Sequence, residues 1–204
     1  GKNLVGTFYQ PDLVLIDPLV LKTLDERVTV EGYAEVVKCA AMVGGTFWQL
    51  IEKIDDARAI LKYAPELIQR SVEFKAEVVT KDEKEGGLRK LLNFGHSIGH
   101  AVELLADCRL LHGEAISIGL AEVNRIFESR GLTEEGTTQA ICDRLQAVGL
   151  PLEDELLSDL RVTDIMKHDK KVSKAALTFV YLKKIGEPEM FSVSLDELQR
   201  FIEK

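Results

Sequence analysis

Residues 33–43 read Tyr-Ala-Glu-Val-Val-Lys-Cys-Ala-Ala-Met-Val, apolar or small at every position except Glu35 and Lys38. A helix that is apolar nearly all round is buried, so other elements must pack around this one. Its two charges are three residues apart and share a face. Buried charges are expensive unless they pair or bind a metal. The segment therefore has two solutions, a local ion pair or a metal site.

A second segment narrows the choice. In Asn93-Phe94-Gly95-His96-Ser97-Ile98-Gly99-His100-Ala101-Val102-Glu103, the residues His96, His100 and Glu103 fall on one helical stripe. Gly95 and Gly99 each precede a histidine, and residues that small admit another backbone or a ligand at close range. Two histidines spaced i, i+4 can chelate zinc, although hydrogen-bonded core histidines produce the same pattern. His112 then stands just before another nearly all-apolar helix, so three of the four histidines lie between positions 96 and 112. Together with Glu35 they favour a metal site over three separate structural histidines.

The cations are less decisive. Lys75 falls on the same stripe as Ile68, Val72 and Val79 in the helical pattern 65–82, either snorkelling or facing a ligand. Arg89 follows a Glu85-Gly86-Gly87 turn, and Lys170 lies in a charged, loop-like stretch. With Lys2 and Lys38 these residues are candidates for an anion cradle. The net charge of −8 argues against a nucleic-acid surface, but a local basic cluster still suits a small anionic ligand. No apolar run is long enough to span a bilayer as a helix. Cys39, Cys108 and Cys142 show no CxxC pairing and are read as reduced core residues of a cytoplasmic protein.

Periodicity predicts helices over 30–43, 46–63, 65–82, 94–106, 113–130 and 134–148. A short buried strand is expected at 13–17, a hairpin from 175–181 and 191–193 around an Ile185–Pro188 turn, and a last short helix opened by a capping box at Ser194. The fold class expected is mainly α. Gly1-Lys2-Asn3-Leu4 reads as the interior of a longer polypeptide.

Four blocks carry a family resemblance. They are Gly1-Lys2-Asn3-Leu4-Val5-Gly6, Gly32-Tyr33-Ala34-Glu35-Val36-Val37-Lys38, the run from Lys81 through Leu92-Asn93-Phe94-Gly95-His96 to Ala101, and Leu111-His112-Gly113-Glu114-Ala115. In order and spacing they resemble the dehydroquinate synthase-like family of sugar-phosphate cyclases, over nearly the whole chain.

The resemblance implies a helical, metal-binding, carboxyl-terminal domain spanning 1–204, whose NAD-binding amino-terminal domain lies outside this chain. It implies the zinc ligands Glu35, His96 and His112, with cobalt as a possible substitute. His100 then resembles the proton-transfer histidine and Glu85 a second acid–base group. Asn3, Lys38, Lys75, Arg89, Asn93, His112 and Lys170 resemble substrate-holding residues, while Lys2 and Val20, Leu21, Lys22 and Thr23 resemble an NAD-contacting surface. Lys84 stands where many relatives have arginine.

The implied reaction converts 3-deoxy-arabino-heptulosonate 7-phosphate to 3-dehydroquinate by transient oxidation with NAD, phosphate elimination, re-reduction and aldol closure. A homodimer is implied for the full-length enzyme. The alternatives are an inosose- or valiolone-forming relative, a non-catalytic helical domain with a structural zinc, and an alcohol dehydrogenase of related fold. Arg89 and Asn93 favour the heptulosonate.

Overall fold

The computed structural model describes residues 5–6, 11–82, 87–168 and 176–202. Its helices are α1 (Glu26–Val43), α2 (Gly45–Ile51), α3 (Ala57–Lys81), α4 (His96–Leu105), α5 (His112–Ser129), α6 (Thr137–Ala147), α7 (Arg161–Lys167) and α8 (Leu198–Ile202). Single 3-10 segments occupy Pro18–Thr23, Leu88–Asn93 and Glu155–Ser158. Strands β1 (Ala176–Leu182) and β2 (Pro188–Ser194) form an antiparallel hairpin in which Phe179 pairs with Phe191. None of the described helices is long and apolar enough to cross a membrane.

Helix α5 is the axis of the fold. Every residue over 115–124 is buried, and α1, α4, α6 and β1 pack around it. The approach of α4 is backbone against backbone. A Cβ on Gly119 would stand 2.1 Å from the Gly95 carbonyl oxygen and 2.7 Å from the Gly99 nitrogen. Gly95 also turns the chain into α4 at φ +74°. The close approach expected of Gly95 and Gly99 is therefore realised, and what approaches is α5. Near the C-terminal end of α5, Phe127 stacks on Tyr181 at 4.4 Å and meets Phe201 edge-on at 5.4 Å. Aromatic contacts of this kind, each burying a large area, pin the hairpin and α8 to the axis.

Several expectations need correction. Residues 13–17 form no strand: Leu13 is 80% and Leu15 89% exposed, and the described residues offer them no partner ladder. Extended backbone becomes a strand only when another strand satisfies it. The break expected between 63 and 65 lies instead at 52–56, because the apolar stripe Ile60, Ala64, Leu67, Val78 runs straight through Pro65. Asp56 supplies the start signal by accepting a hydrogen bond from the Ala59 amide at 2.7 Å. That same stripe shows the assumed inward face of α3 to be one position off: Val72 is 43% exposed, and Lys75 sits at the edge of the packed face. Cys39 and Cys142 are buried, but Cys108 is exposed, in the α4–α5 turn. The apolar context of that turn belongs to its neighbours.

Candidate metal centre

Three helices deliver the site. Glu35 comes from the middle of α1, His96 from the first residue of α4 and His112 from the first residue of α5. The Glu35 Oε1 atom lies 3.2 Å from His96 Nε2 and 3.7 Å from His112 Nε2. The other ring nitrogens are committed. His96 Nδ1 lies 2.9 Å from the Phe94 carbonyl oxygen, which can only accept, so Nδ1 carries the proton. His112 Nδ1 lies 3.0 Å from Glu103 Oε2, and an ionised carboxylate likewise only accepts. In the neutral imidazoles both Nε2 lone pairs then face Oε1. The Oε1 atom is buried and makes no hydrogen bond. Three electron-pair donors aimed at one another are stabilised by a cation between them, and two imidazoles with one carboxylate suit zinc.

The second carboxylate oxygen has protein partners. Lys38 Nζ donates to Glu35 Oε2 at 2.7 Å and to the Leu92 carbonyl at 3.0 Å. Lys75 Nζ lies 3.7 Å from the same Oε2. One oxygen of Glu35 thus holds the ion pair, while the other faces the two histidine nitrogens. Burial opposes ionisation of Glu35, but the Lys38 ammonium beside it favours the carboxylate, and the carboxyl lies below its usual range. Burial lowers the Lys38 ammonium, against the pull of Glu35. Burial also lowers His96, favouring the neutral imidazole that a metal requires, with Glu35 opposing and Lys38 reinforcing the shift.

His100 completes a histidine triangle. Its ring centroid is 5.0 Å from that of His96 and 5.8 Å from that of His112. One ligand-type nitrogen from each of the three rings lies within 4.8 Å of the others. Distance alone therefore admits His100 to the coordination sphere as readily as Glu35.

The flanks of His112 are held by carboxylates. Glu31 Oε2 accepts from the Gly113 amide at 2.7 Å. Glu114 accepts from the Leu111 amide at 2.8 Å and pairs with Arg27 at 2.7 Å. Sequence reasoning missed this brace. Its one visible signal was Glu114, an acidic residue in the first turn of a helix, where it complements the amide donors.

Other expected site residues belong to neighbouring segments. Arg89 and Asn93 belong to the Leu88–Asn93 segment that leads into α4, and both are half-buried. The Arg89 amide donates to Asp82 at 2.9 Å. Val20, Leu21, Lys22 and Thr23 form the Pro18–Thr23 segment, which has no buried residue and lies against α3. Lys2, Asn3, Lys84, Glu85 and Lys170 lie outside the described residues.

Residues 32–172 match the family described as 3-dehydroquinate synthase C-terminal, and residues 1–31 match 3-dehydroquinate synthase N-terminal. The chain belongs to the 3-dehydroquinate synthase family. It is similar to the 3-dehydroquinate synthases of Lactiplantibacillus plantarum, at 55% identity over 97% of this chain and 55% of that protein, and of Latilactobacillus sakei, at 52% over 97% and 54%. The chain thus spans about half the length of these curated relatives. Among solved structures, the family fold recurs in a 2-deoxy-scyllo-inosose synthase complexed with carbaglucose-6-phosphate, NAD+ and Co2+ (TM-score 0.83, 26% identity, 99% of this chain and 58% of that one). It recurs again in the 2-epi-5-epi-valiolone synthase of Streptomyces hygroscopicus subsp. jinggangensis with NAD+ and Zn2+ bound (TM-score 0.85, 27% identity, 98% and 57%).

Proposed function

We propose that this chain supplies the metal and most of the substrate contacts of a 3-dehydroquinate synthase, which converts 3-deoxy-arabino-heptulosonate 7-phosphate to 3-dehydroquinate and phosphate. The observation that carries the reading is the buried Glu35 Oε1, without a hydrogen-bond partner and facing Nε2 of both His96 and His112. Two related cyclases solved with NAD+ and with Co2+ or Zn2+ support the same cofactors here. Identity of 55% to a 3-dehydroquinate synthase, against 26–27% to the inosose and valiolone synthases, favours the heptulosonate over their substrates.

In this reading Glu35, His96 and His112 hold a zinc ion. When bound, the ion supplies Lewis acidity that lowers the pKa of a coordinated alcohol and polarises a carbonyl. Lys38 anchors the far oxygen of Glu35 and keeps it ionised. Lys75, half-exposed beside it, presents positive charge to an anionic substrate, and Arg89 and Asn93 border the same helix start. His100 holds or moves a proton at a ring nitrogen, one helical turn from His96, where an imidazole is suited to neutral pH. Glu85, Asn3 and Lys170 retain the roles that the resemblance gives them.

NAD binding is proposed to draw on Lys2 and on Val20 to Thr23, together with the part of the relatives that lies outside the match. A cytoplasmic homodimer is carried over in the same reading. The test is metal content of the dialysed chain, with phosphate release by the full-length protein given NAD and the heptulosonate. Zinc near one equivalent and turnover dependent on His112 are expected. A chain that takes up no zinc overturns the reading.

A further inference from the structure

The metal-facing geometry of His112 needs more than its backbone. The carboxylates of Glu31 and Glu114 fix the amides on either side of it, but neither touches the ring. The imidazole is 34% exposed, so packing covers it only in part. What the ring does meet is Glu103, whose Oε2 lies 3.0 Å from Nδ1. Glu103 belongs to α4, two turns beyond His96, and reaches His112 because the glycine contacts bring α4 and α5 together.

We propose that Glu103 is a positioning residue for the metal: its carboxylate holds the proton on His112 Nδ1, orients the ring, and makes Nε2 the electron-rich donor toward Glu35. The two histidines then share one design with different anchors. His96 is oriented by a neutral backbone carbonyl at 2.9 Å, and His112 by a full negative charge. A carboxylate behind an imidazole raises its basicity as well as fixing its tautomer. Of the two, His112 is therefore the ligand whose strength depends on a replaceable side chain.

The inference rests on the proposed metal site, and the experiment separates the two. Co2+ is titrated into the 204-residue chain, its Glu103→Ala and Glu103→Gln variants, and His112→Ala, following the visible absorption of the bound ion. Unfolding of each metal-free chain is measured alongside. Glu103→Ala is expected to weaken Co2+ about 10–100-fold and to change its absorption bands, with the metal-free unfolding midpoint unmoved. Glu103→Gln keeps the shape and an acceptor oxygen but loses the charge, so it falls between, and it reads the effect should the alanine variant fold poorly. Glu103 variants that bind as tightly as the unaltered chain, while His112→Ala loses the ion, overturn the positioning role and leave the metal site standing. Weakening matched by an equal loss of metal-free stability overturns it too, in favour of a purely structural contact. An unaltered chain that binds no Co2+ overturns both.

Discussion

Gly119 and Gly95 meet so closely that a single methyl on Gly119 would lie 2.1 Å from the Gly95 carbonyl oxygen. That contact brings the two histidine-bearing helices within reach of each other. Gly119→Ala is therefore expected to destabilise the chain by at least the ~1–3 kcal/mol typical of overpacking, since backbone rather than a pliable side chain must move. It should also weaken metal binding. Urea unfolding of the metal-free chain, paired with a Co2+ titration, checks both. An unchanged urea midpoint would mean that the helices slide apart at no cost.

Zinc should stabilise the folded chain through linkage. An ion that binds only the native state adds about 2.7 kcal/mol at 100 times its Kd, so a chelator should lower the melting temperature and added zinc restore it. In His112→Ala both responses should shrink. Equal responses in variant and parent would remove His112 from the ligand set.

His100 and Glu35 compete for a place in the coordination sphere, and variants distinguish them. In the full-length enzyme, His100→Ala is expected to retain its zinc while losing rate by about 10²–10⁴-fold, the usual worth of a general acid–base group. Glu35→Gln is expected to lose zinc and activity together. The opposite pattern would make His100 the ligand.

Lys75 tests the anion cradle. Lys75→Met in the full-length enzyme should weaken a substrate-like phosphonate inhibitor without changing zinc content, because the lysine is 45% exposed and stands 3.7 Å from Glu35. Unaltered inhibitor binding would reduce Lys75 to an electrostatic neighbour of the carboxylate.

Acid sensitivity should arise partly away from the site. Arg109 grips Asp154 through two 2.8 Å hydrogen bonds and lowers its carboxyl pKa from 3.8. Arg27 does the same to Glu114, from 4.5. A carboxyl depressed in the folded state stabilises fully above its unfolded pKa and loses that contribution as pH falls through the folded value. The stability gap between the unaltered chain and Asp154→Asn should therefore be constant near neutrality and narrow below about pH 4. Urea midpoints at several pH values measure it, and a gap that persists into strong acid would count against the pair.

Much of the site was legible because its residues break local rules. Glu35 and Lys38 interrupt an apolar helix, and His96, His100 and Glu103 share a stripe, so the burial of Lys38 and His96 and the proximity of residues on each helix followed from periodicity. The convergence of α1 with α4 and α5 did not, since periodicity carries no information about which helices touch. The face of α3 was misread by one position because Val72 is apolar without being inward, and apolar surface residues are ordinary. Pro65 read as a boundary, but the stripe on either side of it is continuous and Asp56 caps the true start. The strand at 13–17 failed for another reason: its apolar residues are real, but pairing depends on a partner that local sequence does not name. Glu103 was seen on the stripe without a role, because its partner lies on the next helix.

The Glu31–Gly113 bond joins positions 82 residues apart, and it holds the start of α5, with His112, beside α1, with Glu35. Such a junction forms only after a long stretch of chain has been gathered in, and gathering long loops is slow. The ion should therefore arrive late, as a clasp on a tertiary structure already assembled. Its capture would then follow, and report, the docking of α1 onto α5, and a chain halted earlier on the folding route would leave zinc in solution.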